Sequence, residues 1–175
     1  MGGPSLVAER VAAIVMGPSG CGKSTVGRLL ADRLGAGFVE ADDHHTDAAR
    51  ARMRAGRPLT DEERMPWIAR VAAAARADPH PRVVIACSAL STIVRDALRE
   101  GLRMPSRAFL LDVPAPILVR RLATRTGHFA GPSLLSSQLA ALDPAGIEIV
   151  DGTPPPDAVA LDLAARLGVG QGEGR

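Results

Sequence analysis

Tyrosine and asparagine are missing from this 175-residue chain, and lysine appears once. Three phenylalanines and one tryptophan are its only large aromatics, so a pair of rings sandwiching an adenine is not expected. The two cysteines, Cys21 and Cys87, are too few for a disulfide scaffold and lack metal-site spacing. A reduced, cytoplasmic setting is the simpler expectation. The net charge of +2 is scattered along the chain, which gives no footing to nucleic-acid binding or to a membrane surface. No apolar run approaches the roughly 18 residues that would span a bilayer. Residues 1–6 have no basic start, the apolar run Val11–Met16 is too short for a secretory signal, and Leu6 breaks the myristoylation pattern.

The shortage of lysine also carries positive information. Of the 21 basic residues, 20 are arginine, a bias that looks like drift in base composition. An arginine where lysine is common therefore says little, whereas a lysine that stays says more. The one that stays is Lys23.

Short apolar runs alternate with helical patterns along the chain. Strands are expected at Val11–Met16, Gly37–Glu40, Arg82–Cys87, Ala108–Asp112 and Ile147–Val150. Helices are expected over Lys23–Leu34 (closed by Gly35), from the Thr60/Glu63 capping box to about Ala77, and over Ser91–Arg99. Three more follow at Ala115–Thr124, Leu134–Leu142 and Asp157–Leu167. This alternation predicts an α/β fold, a five-stranded parallel sheet with helices on both faces. A single domain over 1–167 is expected, with a small mobile lid at 125–133 marked by glycine and proline, and a disordered tail at 168–175. In such sheets ligands bind beyond the carboxyl ends of the strands.

Beyond the first strand stands Gly17-Pro18-Ser19-Gly20-Cys21-Gly22-Lys23-Ser24, which fits G-x-x-x-x-G-K-[ST] without mismatch, strand before and helix after. Glycines let the backbone wrap close enough to aim its N–H groups at phosphates, and the following helix presents its positive end. The loop predicts a nucleotide-binding phosphotransferase: these residues and Thr25 hold ATP, Lys23 reaches the β- and γ-phosphates, and Ser24 ligates Mg2+. Arginine at position 23 would be too large and planar to replace the lysine.

Three further blocks follow. Glu40–Trp67 includes Asp42, His45, Met53, Gly56, Pro58, Leu59, Asp61, Arg64, Pro66 and Trp67; the second runs Cys87-Ser-Ala-Leu90 with Arg95-Asp96 and Leu98-Arg99. The third runs from Arg121 through Arg125 and His128-Phe129 to Leu134, Leu135, Ser137 and Gln138. In this order and spacing, with the phosphate loop, they resemble the gluconokinases, small P-loop sugar-acid kinases related to shikimate and nucleotide kinases. The blocks cover roughly residues 11–145. The chain departs from the family pattern at Glu40 (for Asp), Ala41 (Gly), Thr46 (Pro), Ala49 (Asn), Arg52 (Lys), Ser91 (Lys) and Val94 (Tyr).

The resemblance implies phosphorylation of D-gluconate to 6-phospho-D-gluconate with ATP and Mg2+, and a homodimer. The alternatives are a kinase of another sugar acid or of shikimate, or a regulator that binds nucleotide without catalysis. Asp42 is the expected proton acceptor for the sugar hydroxyl and orients a magnesium-bound water; Glu40 and Asp43 read as surface carboxylates or caps. His44 and His45 point different ways as chain neighbours and do not make a metal pair; His45 is a donor to substrate hydroxyls or a surface histidine. Arg64 and Arg95 are candidates for the acceptor's carboxylate, with His128 also on the substrate side. Arg125 is expected to close on the γ-phosphate from the lid. Arg121 faces the adenine, opposite the turn at Thr153-Pro154. Arg50, Arg54 and Arg57 read as a solvated face, and Trp67 as core.

Overall fold

The structure, a computed structural model, describes residues 10–124 and 132–168. Five strands, β1 (Val11–Met16), β2 (Gly37–Glu40), β3 (Arg82–Ala86), β4 (Ser106–Asp112) and β5 (Glu148–Asp151), form one sheet in the order β2-β3-β1-β4-β5. Every pairing is parallel, with Val15 opposite Ala86 on one side and Phe109 on the other. Parallel neighbours require crossovers, and these are the helices α1 (Lys23–Leu34), α2 (Asp47–Arg54), α3 (Asp61–Ala77), α4 (Thr92–Leu102), α5 (Ala115–Ala123), α6 (Pro132–Ala140) and α7 (Pro156–Arg166).

Successive strand residues face opposite ways, so β1 feeds two cores. Ala12, Ile14 and Met16 pack with Trp67, Ile68 and Val71 of α3 and Val94, Leu98 and Leu102 of α4. Ala13 and Val15 pack with Val26 and Leu30 of α1, Leu118 of α5, and Val159 and Leu163 of α7. Because all five strands run one way, their carboxyl ends share one edge, and every loop discussed below leaves from it.

Most expected elements stand within a few residues of their anticipated bounds. α1 closes at Gly35, which is left-handed and returns its N–H to Asp32 and Ala31 carbonyls. The Thr60/Glu63 capping box is formed in both directions. Two segments are additional: a 3-10 turn at Ala41–His44 and the helix α2, capped by the Thr46 hydroxyl. The anticipated lid at 125–133 lies outside the described residues except for positions 132–133, which open α6. The tail beyond Gly168 also lies outside them.

Candidate functional site

The chain from Gly17 to Gly22 bends from β1 into α1. Gly17 has φ +146° and Gly22, at the N-cap of α1, has φ +98°. A Cβ on Gly17 would stand 2.7 Å from Cys21 Sγ, so a side chain is excluded on space as well as conformation. Gly22 offers no side-chain cap, which leaves the first-turn N–H groups of α1 available to an anion. Lys23 is only 8% exposed. Burial opposes its charge, but Cys21, Asp42, Glu40 and Cys87 together hold its pKa above the ordinary lysine value. Both thiols are themselves pushed up by burial, Cys87 to about 12, so at neutral pH the two carboxylates supply that field.

Those carboxylates stand just past β2. Expected as a surface carboxylate or a cap, Glu40 stands at the N-cap of the 3-10 turn without a side-chain cap bond, and its side chain is 11% exposed and bonded to Ser24, with Arg28 4.0 Å away. Its Oε1 is buried without a partner, and burial raises its pKa despite the Ser24 bond. Asp42 lies on the 3-10 turn and acts electrostatically on Lys23, Glu40 and His45. The turn is pinned from below: Trp67, 3% exposed in the core as expected, donates its indole N–H to the Ala41 carbonyl at 2.7 Å. The His45 ring stacks on Trp67 with centroids 4.3 Å apart and planes 13° apart.

Past β3, Cys87–Leu90 turns sharply, with Ala89 at φ +38°. Arg95 of α4 holds this turn. It is 2% exposed, and its guanidinium donates to the Leu90 carbonyl (2.8 Å), the Ala145 carbonyl (3.2 Å) and the Thr92 hydroxyl (3.0 Å). Expected as a carboxylate binder, Arg95 instead turns its two terminal nitrogens to backbone carbonyls and Thr92, while its Nε is buried without a partner. Ser91, standing where the family carries lysine, caps α4 by accepting from Val94 N–H. Arg64 stands on α3. It is held by Asp61 at 2.8 Å and lines a cavity of about 30 Å³ with Trp67, Ser88, Leu90 and Gln138.

On the other side of the loop lies a cavity of about 410 Å³, bounded by Gly20, Gly22, Thr25, Arg121, Gly152 and Pro154. Arg121 and Pro154 of the proline turn line this cavity together, and Arg121 donates to the carbonyls of Cys21 (3.3 Å) and Gly20 (3.4 Å). Arg125 and His128 lie outside the described residues. No helix among the described residues is long and apolar enough to cross a membrane.

A buried lysine in a glycine loop, at the carboxyl edge of a parallel sheet and with a cavity against the loop, defines a P-loop phosphotransferase. A family model described as an AAA domain matches residues 13–144. The gluconokinase of Gluconobacter oxydans is 40% identical over 156 residues, 86% of this chain and 87% of that protein. Among solved structures, a gluconokinase from Sinorhizobium meliloti superposes with a TM-score of 0.76 at 38% identity, covering 89% of this chain and 92% of that one. A sugar kinase from Janibacter gives 0.79 at 37% identity, covering 91% and 95%. The chain belongs to the gluconokinase family of P-loop kinases.

Proposed function

We propose that the chain transfers the γ-phosphoryl group of ATP to the 6-hydroxyl of D-gluconate. The observation that carries this is the buried Lys23 in its glycine loop, with a cavity of about 410 Å³ lined by that loop on one hand and the Glu40 and Asp42 carboxylates acting on Lys23 on the other. That cavity, beside Arg121 and Pro154, has room for the nucleoside; Arg64, Ser88 and Gln138, around a cavity of about 30 Å³ that takes a single polar group, support an acceptor side there. Lys23 then binds the β- and γ-phosphates, with the loop N–H groups of Gly20 to Thr25 around them. Asp42 accepts the hydroxyl proton as the sugar oxygen bonds to phosphorus and the bond to the ADP oxygen breaks. Arg64 supplies the cation for the carboxylate and His45, neutral at pH 7, a donor to hydroxyls. Arg125 and His128, from the block before α6, complete the γ-phosphate and acceptor sides.

A Mg2+ ion fits these residues: the buried, unpartnered Oε1 of Glu40 and the Ser24 hydroxyl stand together, with Asp42 beside them. Such an ion would neutralise charge on the β- and γ-phosphate oxygens. The homodimer and the cytoplasmic location implied by the family belong to the same reading. Coupled measurement of ADP release over gluconate, other sugar acids and shikimate tests it. Release stimulated by gluconate supports it; stimulation by another acid alone moves the acceptor, and no stimulation by any acceptor leaves a nucleotide-binding regulator.

A further inference from the structure

Gln138 stands near the C-terminal end of α6 and reaches 119 residues back along the chain to the phosphate loop, where its Oε1 accepts from the Ser19 backbone N–H at 2.8 Å. Only the oxygen of an amide can accept, so this bond fixes which end of the side chain meets the loop. The nitrogen end has no partner among the described residues, and the side chain lines the small cavity with Arg64, Trp67 and Ser88. This half-buried amide has its oxygen end satisfied and its two N–H donors open beside that cavity, where they are available to an acceptor oxygen.

We propose that Gln138 ties the sugar acid to the phosphate loop. Its oxygen holds Ser19 in place, and its nitrogen donates to a hydroxyl or carboxylate oxygen of the acceptor where that one group meets the small cavity beside Arg64 and Ser88. One short side chain thereby sets the spacing between the acceptor and the γ-phosphate end of the loop. In-line transfer depends on that spacing, since reacting atoms must be held about 3–3.5 Å apart. This rests on the proposed kinase reading and adds a residue to it.

Two variants separate the ends. Gln138→Glu keeps an oxygen for Ser19 at the same reach but has no N–H at neutral pH; Gln138→Met keeps the size and loses both ends. Gln138→Glu is expected to raise KM for gluconate about tenfold or more, the effect of losing a hydrogen bond to a charged or polar oxygen, while ATP-analogue affinity stays within about twofold. Gln138→Met is expected to show the same KM rise and, in addition, a kcat about tenfold lower, because the loop end is also released. The proposal is overturned if both variants keep kcat and KM for gluconate within about twofold of the parent chain. It is equally overturned if nucleotide affinity, gluconate affinity and melting temperature fall together in both, which is the pattern of a merely structural contact. A parent chain that binds the ATP analogue but gives no turnover with gluconate removes the functional reading, and the acceptor half of this proposal with it.

Discussion

His45 lies flat on Trp67, beside Asp42 and among Arg50, Arg64 and Arg70. Burial disfavours its imidazolium and the arginines add to that, so its pKa is drawn down from 6.5 to about 4 although Asp42 pulls the other way. Between those values the unfolded chain binds a proton that the folded chain refuses. Stability should therefore fall as pH drops from 6.5 towards 4, and this contribution should be flat at higher pH. His45→Phe preserves the stack but cannot titrate, so its urea-derived stability should lose less between about pH 7 and about pH 5. Equal losses in the two proteins would dismiss the assignment. Lys23 and Asp42 are separable by a different measurement. Lys23→Ala should lower kcat/KM on the order of a thousandfold or more and weaken nucleotide binding, since the buried cation that meets the phosphates is gone. Asp42→Asn should lower kcat by about a hundredfold to ten-thousandfold while ATP-analogue binding persists. Full turnover in the Asp42 variant would leave proton acceptance to another group.

At the scale of the element, the turn after β3 is tied to the chain entering β5 by Arg95 and by the Asp143 N–H on the Leu90 carbonyl. Arg95 satisfies carbonyls from both the Cys87–Leu90 turn and the chain entering β5, and it does so almost wholly out of water. Arg95→Met keeps much of the apolar stem but takes the guanidinium donor from the Ala145 carbonyl and leaves the Leu90 carbonyl with the Asp143 N–H alone. Removing a desolvated charge offsets part of the loss. The expected cost is about 2–3 kcal/mol, read by urea denaturation, together with a rise in KM for gluconate as Ser88 and Ala89 shift. An unchanged midpoint would mean that the turn holds its own shape. This role was not legible in the sequence, where Arg95 is one arginine among 20 in a block suggestive of substrate. What gave it away was burial, a property of the packed molecule. The depth of Glu40, which stands at the cap position, was hidden for the same reason, because it depends on Ser24 and Arg28 arriving from α1. The helix α2 escaped notice because it has no buried residue, so no apolar stripe marks it, and only its Thr46 cap could have hinted at it. By contrast β1, the phosphate loop and α1 were readable almost to the residue, because an apolar run, glycines with special φ and a closing glycine are local requirements.

Across the whole molecule the two cores share their strands. On β3, Val83 and Ile85 face one core and Val84 the other; on β4, Ala108 and Leu110 face one and Phe109 and Leu111 the other. Stripping α3 and α4 from one face would thus uncover strands still packed on the opposite face. Exposing about ten large side chains at roughly 1.5–3 kcal/mol each costs tens of kcal/mol, against a net stability of about 5–15 kcal/mol for a domain of ordinary size. The freed helices would recover chain entropy, but the uncovered sheet face would stay ordered and wet and recover almost none. A half-unfolded state is therefore disfavoured relative to both ends, and the expected single domain over 1–167 should unfold in one step. The chain carries its own reporter, since Trp67 is the only tryptophan and is buried in the α3 core. Helical ellipticity, by contrast, sums over helices of both faces, α1 and α7 included. Trp67 fluorescence and far-ultraviolet circular dichroism should give the same urea midpoint, and ATP at about a hundred times its Kd should move both by the same amount, about 2.7 kcal/mol in stability. A fluorescence transition that precedes the loss of ellipticity would mean that the α3–α4 face detaches first and that the acceptor side is a separable unit.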